Sequence, residues 1–130
     1  MAIFNKGNIN PTSGSSSETT VISSGARMEG TFYFNSMLHV DGELNGIVHS
    51  ENIVVIGRNG NVKGELQADK IVVNGYFEGE LEANSLEILA GGYVSGNITI
   101  KELSIENGGK FNGSSKIKED TVKLIETHVE

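Results

Sequence analysis

From Ile22 to Ile117 the chain places apolar residues at every second position in short runs, and glycine interrupts each run. In "GNVKGEL" at 60–66, Val62 and Leu66 are apolar while Asn61, Lys63 and Glu65 are polar. The same shape returns as "GELNGIV", "GYFEGEL", "GYVSGNI" and "GKFNGSS". A spacing of two is the strand period, not the helix period. With the second glycine of each unit as zero, the origin falls at Gly30, Gly46, Gly64, Gly79, Gly96 and Gly113, at intervals of 16, 18, 15, 17 and 17 residues. Two before the origin stand Met28, Leu44, Val62, Phe77, Val94 and Phe111, and two after stand Phe32, Val48, Leu66, Leu81, Ile98 and Ser115. Four after stand Phe34, Ser50, Ala68, Ala83, Ile100 and Ile117. Eight before stand Ile22, Leu38, Ile56, Ile71, Ile88 and Ile105.

Six repeats of short strands fit either an antiparallel meander or a β-solenoid. Only in the solenoid do like residues of successive repeats stack into one column, with rungs about 4.8 Å apart. Agreement in four columns points to an all-β fold, a single-chain parallel β-helix of about six rungs of 15–18 residues. The column from Ile22 to Ile105 then predicts one continuous aliphatic spine. Intervals of 15–18 fit a strict six-residue unit poorly, which favours the right-handed form over the left-handed hexapeptide form. Gly42, Gly60, Gly75, Gly92 and Gly109, four before the origin, pair with Gly46, Gly64, Gly79, Gly96 and Gly113 as rung corners. Both sets are expected to turn at positive φ or to admit close backbone approach.

The flanks differ. Residues 5–19 are Asn, Ser, Thr and Gly with little to bury, and read as a linker. Residues 118–130 carry no glycine and read as a C-terminal tail. The β-helix domain is therefore expected over 20–117. Glycine, 17 of 130 residues, is about twice its usual ~7 % share, yet it lacks the three-residue period of collagen. A net charge of −7 disfavours a nucleic-acid footprint and simple adhesion of the domain to anionic lipid. With no cysteine, disulfides and thiolate metal sites are excluded. The start has no secretory h-region and no apolar run approaches the ~18–20 residues of a membrane span, so a cytoplasmic location is expected.

Catalytic chemistry finds little support. His39 and His49 fall at outward positions and read as solvated side chains, since no carboxylate–histidine spacing accompanies them. Glu65, Glu80 and Glu82 fall at outward positions on neighbouring rungs. As paired carboxylates they would suit a solenoid glycosidase, but an acidic solvent face is the simpler reading. "GRNGNVKG" and "AGGYVSG" precede no helix, so a phosphate cradle is unsupported. Tyr76 and Tyr93, three before the origin in adjacent rungs, are expected to stack. No catalytic residue, cofactor or metal is assigned. A carbohydrate-active solenoid or another β-helix binding module is the alternative. An ice-binding solenoid would need more outward threonines.

The columns, and above all "LHVDGELNGIVHSENIVVIGRNGNVKGEL" at 38–66, resemble the bactofilins, a family of bacterial cytoskeletal proteins. The resemblance covers roughly residues 20–117. It implies a right-handed β-helix with a triangular core and nucleotide-free assembly into filaments. It further implies association with the inner membrane face, a role in cell shape, and a peptidoglycan hydrolase or its membrane regulator as partner. The start "MAIFNK" resembles the family's membrane-targeting segment. Met1, Ile3 and Phe4 would enter the headgroup boundary while Lys6 meets anionic lipid. A bare solenoid also presents two open ends. Ile22, Met28, Phe32 and Phe34 at the N-terminal end, and Ile105, Phe111 and Ile117 at the C-terminal end, are the expected polymerisation surfaces. Like-to-like end contacts would give the non-polar filament that the resemblance suggests.

Overall fold

The computed structural model describes residues 18–118. Six short strands are β1 (Thr19–Ile22), β3 (Met37–Val40), β5 (Ile53–Ile56), β7 (Lys70–Val73), β9 (Ser85–Ile88) and β11 (Glu102–Ile105). They alternate with six long ones, β2 (Arg27–Phe34), β4 (Glu43–Ser50), β6 (Asn61–Gln67), β8 (Tyr76–Glu82), β10 (Tyr93–Ile100) and β12 (Lys110–Ile117). The short strands form one six-stranded sheet in the order β1-β3-β5-β7-β9-β11, and the long strands form a second in the order β2-β4-β6-β8-β10-β12. Every pairing is parallel, from β1 with β3 to β10 with β12. A chain that winds always the same way lays each strand on its predecessor in the same direction. The protein is thus a parallel β-helix of six rungs, each rung one short and one long strand.

The irregular repeat length has a local cause. Val40 and Glu43 are joined by Asp41–Gly42, and Val73 and Tyr76 by Asn74–Gly75. In the other four rungs the same corner takes four residues, as in Gly57–Gly60. The corner after the long strand also varies. Seven positions separate Gly30 from Met37 and Gly46 from Ile53, but six separate Gly64 from Lys70, Gly79 from Ser85 and Gly96 from Glu102. These two corners account for every interval.

Their variation also corrects the expected single spine, because counting back a fixed eight residues crosses from one column to another. Ile22, Val40, Ile56, Val73, Ile88 and Ile105 form one column in register. Thr20, Leu38, Val54, Ile71, Leu86 and Leu103 form a second beside it. The columns from Met28 to Phe111 and from Phe32 to Ser115 stand in the expected register.

The two glycine sets do different jobs. Gly46 lies inside β4 at φ 134°, and a Cβ there would overlap the carbonyl oxygen of Gly30 in the rung before. The same holds up the ladder to Gly113, so these glycines both bend the long strand into two arms and let rungs approach. Gly42 and Gly75, by contrast, are not at positive φ. Their Cβ atoms would run into the carbonyl oxygens of Ser23 and Gly57. Close approach alone selects glycine there. Each rung therefore has three straight segments, a short strand and two arms, around one apolar core.

Leu38, Leu44, Ile56, Phe77, Leu86, Ile88 and Val94 have no exposed surface. Each such side chain withdrawn from water contributes about 1.5–3 kcal/mol before chain entropy opposes it. Ser50, the polar member of its column, is buried, and its Oγ accepts a hydrogen bond from the Asn52 amide at 3.0 Å. Outside, Tyr76 and Tyr93 stack as expected, with ring centroids 5.4 Å apart and planes 8° apart. The hydrogen bond from the Tyr76 phenol to Glu78, 2.8 Å long, raises its pKa, with burial and the adjacent carboxylate adding to the effect.

Candidate functional site: the two end rungs

A stack of parallel rungs leaves four edge strands, β1 and β2 at one end and β11 and β12 at the other. Each presents unpaired N–H and C=O groups on its outer side, a ready template for further pairing. Nothing among the described residues covers either end.

At the N-terminal end Ile22 is only 4 % exposed, and Met28, Phe32 and Phe34 are partly buried against the core. The Phe32 and Phe34 rings lie 6.2 Å apart and 16° from parallel. Three bulky side chains thus fill much of this cross-section. At the C-terminal end Phe111 is partly buried, whereas Ile105 is 43 % and Ile117 76 % exposed. Ser115, in register with Ile98, replaces a large apolar residue and leaves that end underfilled.

The sequence reading overlooked Leu103. It continues the Leu86 column, points to the core side of β11 and is 40 % exposed. Its alternation with Ile105 was the available signal, hidden by the fixed-offset alignment. Met1, Ile3, Phe4 and Lys6 lie outside the described residues, as does nearly all of the C-terminal tail.

The outer faces carry the other expected side chains. His39 and His49 point outward and are half-buried, and His39 Nε2 lies 3.0 Å from Asp41 Oδ2. Glu65 and Glu80 are directly opposite in β6 and β8. Glu82, one column over, lies 3.7 Å from Lys118 Nζ. These acids are among the residues lining a shallow groove of about 550 Å³ on the second arms of the rungs. Among the described residues no three His, Cys, Asp or Glu side chains are grouped to hold a metal ion.

A family model described as Bactofilin, polymer-forming cytoskeletal, matches residues 20–116. The chain belongs to the bactofilin family. The match takes in all twelve strands but for one residue at each extremity. Membership makes the protein a polymer-forming cytoskeletal one, so self-association is the activity that the fold must serve. No curated protein and no solved structure matches the chain.

Proposed function

We propose that this bactofilin is a cytoskeletal scaffold that assembles end to end, without nucleotide, into non-polar filaments at the inner face of the cytoplasmic membrane. There it organises cell-wall synthesis or cell shape. The observation that carries the reading is the C-terminal rung, where Leu103, Ile105 and Ile117 stand exposed beside unpaired edge strands. Stacking a second rung on this end would bury those side chains and extend both ladders at once.

Charge weighs against unlike-end stacking. Stacking unlike ends would continue β12 onto β2 and set Lys110 over Arg27, which are like charges directly opposite. The glycine-rich corners connect strand to strand, which supports assembly without nucleotide. No helix N-terminus stands among the described residues to receive a phosphate. The segment Met1–Lys6 supplies membrane contact. A single copy binds marginally, and a filament displaying many copies binds by avidity. The partners are a second copy of the chain, inner-membrane lipid, and a peptidoglycan hydrolase or its membrane regulator. The protein acts as a scaffold and not as a catalyst.

Electron microscopy of the purified chain without nucleotide tests the assembly. Straight, unbranched filaments are expected, and a stable monomer at high concentration would sink the reading. Phe111→Arg should fold yet form no filaments, halting at pairs joined through the N-terminal end. Filaments of that variant as abundant as wild type would dismiss the C-terminal end as an assembly surface. Co-sedimentation with anionic vesicles tests the membrane part: removal of residues 1–6 should release the filaments.

A further inference from the structure

Outward positions of a solvent-facing sheet are normally polar. The outer face of the short-strand sheet departs from this over its first four rungs. Val21, His39, Val55 and Val72 form one outward column, and Thr19, Met37, Ile53 and Lys70 occupy the other outward position of the same strands. Val21 is 57 % exposed, and Met37, Ile53, Val55 and Val72 are half-buried at the surface. No carboxylate points outward from these four strands. Carboxylates stand on the strands themselves only further along, at Glu87, which lies 3.9 Å from Lys70, and at Glu102; in the first four rungs Asp41, at the corner after β3, reaches the stripe and lies 3.0 Å from His39. The faces formed by the long strands are charged by comparison, with Glu29, Glu43, Lys63 and Glu78 on one arm and Glu65, Glu80 and Glu82 on the other.

We propose that this apolar stripe is a lateral docking surface for a second copy of the chain, and that it pairs filaments face to face. Three observations favour a second copy over a lipid surface. The chain carries −7 overall, and the stripe is where two copies approach with least repulsion between carboxylates. A parallel sheet with β-branched outward side chains suits packing on another sheet at about 10 Å. A lipid surface would call for basic and aromatic anchors, and the stripe offers only Lys70, 3.9 Å from Glu87, and His39, 3.0 Å from Asp41.

Area fixes when this pairing operates. Four rungs at about 4.8 Å by four residues at about 3.3 Å give roughly 250 Å² per copy. That is well short of the ~800 Å² per partner of a stable complex. Isolated subunits therefore do not pair through the stripe. A filament repeats it in every subunit, and the contacts add along its length. The inference rests on the end-to-end assembly proposed above, and lateral pairing is read separately from it.

The test is electron microscopy of wild-type, Val55→Glu and Val72→Lys filaments, with circular dichroism to check folding. Both side chains point outward, so both variants should fold and still form filaments. Wild-type filaments are expected in pairs or flat bundles, and each variant as single filaments. Mixing Val55→Glu with Val55→Lys filaments should restore pairing through opposite charge. Single wild-type filaments, or variants bundled like wild type, would overturn the stripe while leaving end-to-end assembly intact. So would a Val55→Glu variant that bundles normally but no longer sediments with anionic vesicles, since that assigns the stripe to lipid. In a chain blocked at its C-terminal end by Phe111→Arg, stable association that Val55→Glu abolishes would overturn the dependence on the filament.

Discussion

Ile22 and Ile105 are the first and last members of one column, yet one is 4 % and the other 43 % exposed. Both lie on edge strands, so backbone pairing does not distinguish them. The rest of each rung does. Rung one supplies Met28, Phe32 and Phe34, whereas rung six supplies Phe111, Ser115 and Ile117 in the same registers. Side-chain bulk closes one end over itself, and a serine leaves the other open. The repeat alone would make the two ends equivalent. The residues that depart from it decide which end is an exposed apolar surface before assembly.

Charge placed at each end should bring out that difference. Ile22→Arg puts a cation into a closed cross-section. It should cost roughly 3 kcal/mol of stability, seen as a lower denaturant midpoint, along with loss of assembly at the N-terminal end. Ile105→Arg puts the same cation on an open surface, where the guanidinium reaches water. The fold should lose about 1 kcal/mol or less. The critical concentration for assembly should rise at least tenfold, equivalent to ~1.4 kcal/mol of lost contact. Equal losses of stability in the two variants would erase the proposed contrast.

The fold was largely legible because its signal is distributed. The Val62 and Leu66 columns and the glycine ladder repeat in every rung, so local irregularity could not hide them. What the fixed offset could not resolve were the corners. Asp41–Gly42 and Gly57–Gly60 solve the same turn with two and four residues. Without coordinates, nothing in the apolar pattern says whether Leu38 or Val40 aligns with Ile56. The ends were legible as places and not as surfaces. The sequence names Ile22 and Ile105 alike, and exposure depends on how neighbouring side chains fill the cross-section. The stripe at Val55 and Val72 is hidden because "IVVI" is apolar on both faces and "KIVV" marks its outer face only by Lys70, whereas period-two reading needs polar partners to show which side is out.

If the serine is what leaves the C-terminal end open, enlarging it should close that end. Ser115→Leu, in register with Ile98, would restore the column. We expect a gain of about 1 kcal/mol in a thermal melt and a modest fall in the critical concentration, because more apolar area meets the next subunit. Weaker assembly with a more stable fold would mean instead that Ser115 leaves room for a side chain of the neighbouring subunit.

The smallest effect should separate the two ways of joining these unequal ends. In unlike-end stacking Lys110 would sit over Arg27, and Asn112 over Glu29. The repulsion is worth only about 0.2–1 kcal/mol, and Arg27 already lies 3.5 Å from Glu29 and 3.9 Å from Glu43. The natural chain has no cysteine, so introduced thiols report cleanly. Glu29→Cys subunits mixed with Asn112→Cys subunits should give little mixed disulfide, because like ends meet. Adding Lys110→Glu turns the repulsion into attraction and should raise the mixed product a few-fold, less so at high salt. Abundant mixed disulfide without Lys110→Glu would make the filament polar. The difference between the two ends would then be complementary, with the bulky rings of rung one seated over Ser115.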